Sequence, residues 1–361
     1  MKIIHCADLH LDSPMETHLG REKASLRNVE ILKTFCRMTA YAAEQNVRLV
    51  LIAGDLFDGA RVRQSTVDTV LNAIQETPSV TYLYVPGNHD NAAQAFFDRK
   101  LPQNFRQFTE QWQSLIYGAV TVSGIEMRLE NAERLYTELP CAGEGRFHIV
   151  MLHGQIGSQS GVDRVNYSLL RGRGIDYLAL GHLHSFTVQP LDARGVYCYS
   201  GCLEGRGFDE CGEKGFVLID TDAWTRREEA VRFVPFSQRS LHRIPVDITG
   251  KQTNAEVYQV MRTAAAAVPA RDMAEFLLRG TASLEARLSV DYLTKLVAGD
   301  FFFAKVKDES KLGVSTEDYR NDISLKGAFV RLVLAGDRSE EEKARIIRAG
   351  LEALSGEEIG L

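Results

Sequence analysis

Seven residues in the first 184 positions carry side chains that bind divalent cations: Asp8, His10, Asp55, Asn88, His153, His182 and His184. The set mixes carboxylate, amide oxygen and imidazole and contains no thiolate. That suits manganese, iron or zinc in five- or six-coordinate sites better than a structural tetrahedral zinc. Seven donors exceed what one ion takes and suit two ions that share a carboxylate. Asp55, midway in the order and followed by Leu56-Phe57, is the natural bridge. Two cations about 3.5–4 Å apart clamp a phosphate and activate a bridging water for in-line attack. They also neutralise the charge that builds in the transition state.

One turn gathers more chemistry than any other stretch. In Val85-Pro86-Gly87-Asn88-His89-Asp90, Pro86 and Gly87 stop an apolar strand and fold a tight turn. Asn88 offers a neutral oxygen ligand, His89 a proton near neutral pH, and Asp90 a carboxylate able to orient a neighbour.

These residues need elements that deliver them to one place. Apolar runs at 2–7, 47–53, 80–85, 147–152 and 175–180 read as strands, and each is followed within one to three residues by a candidate ligand. Apolar positions at helical spacing predict helices over 25–46 and 65–76. Strand and helix in alternation make an α/β sheet whose active crevice lies beyond the strands' carboxyl ends. Helical fragments are expected at 104–113, strand-like pieces at 115–122 and 125–129, and a short helix at 167–173. Strands at 186–190, 195–199, 214–220 and 229–234 would close the domain. A lone strand-end Asp or His is ordinarily a satisfied structural group; seven together are not ordinary.

Near 237–240 the pattern changes. Strands at 241–248, 273–279 and 301–306 alternate with helices at 253–267 and 289–298. Helices near 323–335 and 339–354 end the chain. Ser339 is placed as an N-cap, with acids following it and bases later in the helix. His242 is the only histidine here, so 1–237 and 238–361 are expected to be a catalytic domain and an accessory domain.

Bulk properties narrow the class. At 361 residues with 45% hydrophobic and 25% charged residues, the chain is long enough for two or three globular domains. A net charge of −6 makes it no polycation, so any attraction to nucleic acid must be local or carried by metal ions. Six scattered cysteines fit reduced thiols; Cys198, Cys202 and Cys211 lack the paired short spacing of zinc modules. The chain enters a strand with no signal peptide, and no apolar run approaches the ~20 residues that span a bilayer. A cytoplasmic protein with no membrane association is expected.

The series Asp8-Leu9-His10, Gly54-Asp55-Leu56-Phe57-Asp58, Gly87-Asn88-His89-Asp90, His153-Gly154 and Gly181-His182-Leu183-His184 resembles the calcineurin-like metallophosphoesterase superfamily. Within it, Ala7-Asp8-Leu9-His10-Leu11-Asp12-Ser13-Pro14 and the Gly-Asp-Leu-Phe-Asp form of the second motif are similar to the DNA repair exonuclease branch, which includes SbcD-type and YhaO-like proteins. The motifs cover residues 1–207. The resemblance implies a four-layer α/β/β/α sandwich with a smaller α+β C-terminal capping domain. It implies one metal held by Asp8, His10, Asp55 and His184, and a second by Asp55, Asn88, His153 and His182. Manganese is the expected ion, with iron, zinc or magnesium as alternatives. His89 would stabilise the transition state or protonate the leaving oxygen, with Asp90 orienting it. Asp58, standing where eukaryotic and archaeal nucleases of the family carry His, is the third catalytic candidate.

Arg61, Arg63 and Arg206 are positioned to grip a phosphate backbone, set against a reading as ordinary solvated loop arginines. The expected function is metal-dependent exo- or endonuclease cleavage of DNA by a homodimer paired with an SMC-like ATPase. A small-molecule phosphodiesterase and a non-catalytic DNA-binding subunit are the alternatives.

Overall fold

A computed structural model describes residues 1–15, 19–59, 62–90, 95–96, 98–283, 286, 288–313, 319 and 322–354. The chain divides into two units, Met1–Ser240 and Leu241–Leu361.

The first unit is a pair of facing sheets. Its strands are β1 (Lys2–Cys6), β2 (Leu49–Ala53), β3 (Thr81–Val85), β4 (Phe105–Gln107), β5 (Gln113–Tyr117), β6 (Val120–Gly124), β7 (Phe147–His153), β8 (Gln155–Gly157), β9 (Arg164–Asn166), β10 (Tyr177–Gly181), β11 (Thr187–Pro190), β12 (Val196–Tyr199), β13 (Gly215–Asp220) and β14 (Val231–Pro235). One sheet runs β14-β13-β1-β2-β3-β4, the other β11-β12-β10-β7-β6-β5, and β8 and β9 form a separate ribbon. The central strands β1, β2 and β3 are parallel to one another, as are β7 and β10, so each sheet aims its carboxyl ends one way. Leu49, Leu51, Leu83 and Val85 on one sheet pack against Ile149, Met151, Tyr177 and Ala179 on the other. These strands are buried on both faces, which is why they read as continuous apolar runs rather than alternating ones.

Helices α1 (Arg21–Glu44) and α2 (Gln64–Gln75) cover the outer face of the first sheet. Ile31, Phe35, Met38 and Ala42 recur along one stripe of α1 and pack with Val50 and Ile52 of β2. Each such large apolar side chain contributes about 1.5–3 kcal/mol on burial. Asn46 ends α1 in the left-handed region at φ 57°, which an Asn tolerates better than most residues. The outer face of the second sheet is covered by Leu135, Tyr136, Leu139 and Leu170, from turns and the end of a short 3₁₀ turn (Tyr167–Leu169). The helix expected over 104–113 does not form. Phe105–Gln107 instead pairs in parallel with β3, with Phe105 buried against Tyr84. Residues 125–129 are irregular, because Ile125 and Met127 anchor a loop over the second sheet without strand partners.

The second unit alternates strand and helix. β15 (Leu241–Asp247), β16 (Met273–Arg279) and β18 (Phe303–Asp308) form a parallel sheet, with α3 (Asn254–Ala264) and α4 (Val290–Val297) as crossovers. β17 (Thr281–Ser283) and β19 (Lys311–Gly313) pair beside it. Ile244, Val246, Phe276 and Leu278 pack on Val257, Met261 and Leu293 of the helices. Thr253 and Glu256 close a reciprocal capping box on α3. α5 (Leu325–Leu334) and α6 (Glu340–Leu354) make a separate cluster around Val330, Ile347 and Leu351. Ser339 accepts from the Glu342 amide and so caps α6. Among the described residues, no helix is long and apolar enough to cross a membrane.

Candidate metal centre

The donor residues lie just past the carboxyl ends of β1, β2, β3, β7 and β10. Asp8 and His10 follow Cys6, Asp55 follows Ala53, Asn88 follows Val85, and His153 and Gly181 end their strands with His182 and His184 beyond. Backbone hydrogen bonds continue past the strand ends and hold these loops in register. Asp8 N donates to Gly54 O at 3.0 Å, His10 N to Asp55 O at 2.9 Å, and Gly59 N to His89 O at 3.1 Å. Four donors sit at positive φ, a conformation L-residues rarely adopt: Asp8 at 51°, His10 at 44°, Asp55 at 50° and His182 at 101°. Each costs of order 1–3 kcal/mol, and such strain persists where surrounding structure enforces it, most often at working sites. Gly54, at φ 93°, has no room for a side chain, because a Cβ there would lie 2.0 Å from His153 Nδ1.

Asp55 is central. Its Oδ2 is 3.5 Å from His10 Nε2 and 3.4 Å from His153 Nε2, while its Oδ1 accepts from the His89 amide at 2.9 Å. His10 Nε2 faces His184 Nε2 at 3.3 Å, and His153 Nε2 faces Asn88 Oδ1 at 2.8 Å. Asp8 and His10 group with His184, and Asp8 and Asp55 with His153, each set within 4.8 Å. His182 is half-buried; its ring meets His153 edge-on at 5.5 Å between centroids, and its amide donates to Asp8 Oδ1 at 2.8 Å.

The far nitrogens of three imidazoles fix their tautomers. His153 Nδ1 donates to Ala53 O at 2.9 Å, His184 Nδ1 to Glu210 Oε1 at 2.6 Å, and His10 Nδ1 lies 3.4 Å from Asp58 Oδ1. With protons on Nδ1, the Nε2 lone pairs converge on one another and on carboxylate and amide oxygens. Such contacts between acceptors are repulsive unless a cation or a proton lies between them. Asp8 Oδ2, buried and without a hydrogen-bond partner, points to the same need. The donor set therefore fits divalent cations. Without them a proton serves: burial pushes His153 down, but the Asp55 carboxylate outweighs it and lifts the ring to about 9. Burial pushes Asp55 up, and His153 and His10 more than offset it, holding the carboxyl at about 2.

His89 is half exposed above this group, with Nδ1 3.1 Å from Asp58 Oδ1. Asp90 does not play the part expected of it. Its carboxylate accepts from the amides of Phe57 at 2.8 Å, Gly87 at 2.9 Å and Leu56 at 3.2 Å, so it ties the β2 and β3 loops together. Burial raises its carboxyl to about 6. The carboxylate against His89 is Asp58, which a position next to His10 and Arg206 keeps well below the usual range.

The arginines divide. Arg61 lies outside the described residues. Arg63 is exposed, with its guanidinium on Asp12. Arg206 is mostly buried and engaged with acids, at 2.9 Å from Glu210 and 3.7 Å from Asp58, rather than solvated for phosphate. Cys198 and Cys202 are buried in the fold, and no candidate metal group among the described residues uses a sulfur.

Glu210 and Lys214 escaped the sequence reading. Both are buried at the back of His184, Glu210 on the ring and Lys214 donating to the His184 carbonyl at 2.7 Å. No spacing marks Glu210 apart from Glu204, Asp209 and Glu213 around it.

The uncharacterized metallophosphoesterase YhaO of Bacillus subtilis is 26% identical over 72% of this chain and 66% of its own length. A DNA double-strand break repair protein Mre11 of Sulfolobus acidocaldarius is 25% identical over 61% of this chain and 60% of its own. The chain thus spans 60% to 66% of the length of these relatives. Among solved structures, a dimetal phosphatase from Danio rerio matches with a TM-score of 0.40 and 13% identity, covering 60% of this chain and 91% of that one. The calcineurin-like phosphoesterase family model matches residues 1–186, which hold all seven donors, and the chain belongs to that family.

Proposed function

We propose that this chain hydrolyses DNA phosphodiester bonds with two manganese ions, as the nuclease subunit of a repair complex. The observation that carries the reading is Asp55 Oδ2, set 3.5 and 3.4 Å from imidazole nitrogens of two different strand ends, with the other donors around it. Asp8, His10, His184 and Asp55 would hold one ion; Asn88, His153, His182 and Asp55 the other. When bound, such a pair polarises phosphoryl oxygens and acidifies the attacking water.

The chain's own residues do the rest. Asp58 accepts the His89 Nδ1 proton and so supports the imidazolium form, whose Nε2–H would pass its proton to the leaving oxygen and leave the neutral ring. Asp90 keeps the Asn88-His89 turn against the β2 loop by its three amide contacts. Arg63, exposed just before α2 with its guanidinium on Asp12, is proposed with Arg61 to meet a phosphate backbone. Arg206 is assigned to steering Asp58 and Glu210.

The Mre11 relatives support DNA as the substrate. The proposed partner is an SMC-like ATPase, and the docking surface proposed for it is α5, where Leu325 and Leu332 are exposed on one stripe close in sequence to exposed Ile323. A homodimer is proposed, with Leu26 and Val29, exposed on α1, as its contact.

The test is cleavage of labelled single- and double-stranded DNA with manganese, with and without EDTA, alongside cyclic nucleotides. Manganese-dependent DNA cleavage abolished by EDTA is expected. Cyclic-nucleotide turnover without DNA cleavage would establish the small-molecule reading instead, and binding without any hydrolysis would leave a DNA-binding subunit.

A further inference from the structure

The His184 side chain is held from behind by one short segment. Its Nδ1 donates to Glu210 Oε1 at 2.6 Å, and its carbonyl accepts from Lys214 Nζ at 2.7 Å and from the Cys202 thiol at 3.6 Å. Glu210 is itself restrained. Its Oε2 accepts from the Arg206 amide at 2.6 Å and its Oε1 from the Arg206 guanidinium at 2.9 Å. Both carboxylate oxygens are therefore committed, and the residue is 5% exposed.

The segment is in turn pinned to α1. Fully buried Arg27 donates to Gly205 O at 2.8 Å and to Glu204 Oε2 at 3.0 Å, and Thr34 donates to Glu204 Oε1 at 2.7 Å. A buried charge pair of this kind is costly to desolvate and adds little net stability. Here it fixes the two residues that precede Arg206. Glu204, Arg206, Glu210 and Lys214 lie beyond residue 186, outside the matched family region.

We propose that Glu210 is a positioning residue for metal binding: it keeps the proton of His184 on Nδ1 and the Nε2 lone pair aimed at the ion shared with Asp8 and His10. Carboxylates that hold the far nitrogen of a ligating imidazole fix its orientation and raise its basicity, and their loss costs about 10–100-fold in metal affinity. The inference rests on the two-metal reading above. It assigns the carboxylate to one ion of the pair, because His153 uses the Ala53 carbonyl instead.

The experiment takes the full chain stripped with chelator and titrates it with Mn²⁺ alone, following binding by calorimetry and bound metal by elemental analysis. Wild type is expected to take two ions per chain. Glu210→Ala should weaken one ion 10–100-fold and leave the other unchanged. Glu210→Gln, which keeps an acceptor but not the charge, should fall between, and exposed Glu213→Gln should match wild type. Saturating manganese should restore the turnover number of the Gln variant on bis-p-nitrophenyl phosphate, which a general folding defect would not allow. Should the Ala chain fail to fold, as judged by its thermal transition, the Gln variant carries the test. Two ions bound with wild-type affinity in the folded Glu210 variants would overturn the role of Glu210 while sparing the two-metal reading. A wild-type chain that binds only one ion would overturn both.

Discussion

In the proposed reaction, His89 and Asp58 would serve proton transfer rather than ion binding. The imidazole is the exposed member of the group, and its Nδ1 is held by a carboxylate that also borders His10 and Arg206. Replacing His89 by Asn should lower the rate of diester hydrolysis by about 10²–10⁴-fold, the usual contribution of a positioned acid or base. Bound manganese, measured in the same preparations, should stay at the wild-type count; an unchanged rate would remove His89 from the reaction. A different histidine governs stability. His5, in the core between the sheets with Nδ1 2.9 Å from the Tyr177 hydroxyl, is pushed by burial from 6.5 down to about 3. Its folded form is neutral, so the unfolded chain binds the extra proton once pH falls below 6.5. Stability from this residue is therefore whole above 6.5 and is lost as pH falls toward 3, by about 1.4 kcal/mol per unit. Urea unfolding between pH 6 and 4 should show a steeper acid loss in wild type than in His5→Leu; parallel slopes would exclude it.

At the scale of elements, the loops after β1, β2 and β3 act as one piece, tied by the amides that Asp90 collects and by the bonds of Asp8, His10 and Gly59. Close approach is part of that design. A Cβ on Gly87 would lie 2.2 Å from Asp55 Oδ1 and 2.5 Å from its backbone nitrogen. Gly87→Ala should therefore displace the central carboxylate and reduce turnover by about 100-fold or more, as an ångström of misplacement does. Gly20→Ala, with nothing within 4 Å of its new methyl, serves as the control assayed beside it. The elements themselves were largely legible. Strands buried on both faces announce themselves as apolar runs, and α1 and α2 as helical stripes. The segment 104–129 was not, because β4 has only three residues and takes its strand state from pairing with β3.

At the scale of the molecule, the proposed function asks a chain of net charge −6 to approach a polyanion. Two divalent ions would bring four positive charges to the one place where phosphate must sit, so affinity for DNA should rest on metal as well as on arginines. The second unit keeps α5 and α6 in a cluster of their own, apart from the packing of its sheet. Changing Leu325 and Leu332, both exposed, to Glu should abolish capture of the proposed ATPase partner while hydrolysis of a small diester continues unchanged. Retained capture in a pull-down with the partner would place the docking surface elsewhere.

The sequence by itself determined the donor types, their order along the chain and their delivery from strand ends, because apolar runs and the residues after them are local properties. It also determined that the set suits two ions and a phosphate ester. Only the tertiary structure decided which donors face which. His10 meets His184 across 174 residues, Asp58 rather than Asp90 reaches His89, and Arg206 turns inward to Glu210 instead of out to solvent. Those pairings depend on where two sheets bring distant loops together and on which nitrogen of each ring finds an acceptor. Spacing along a chain carries neither.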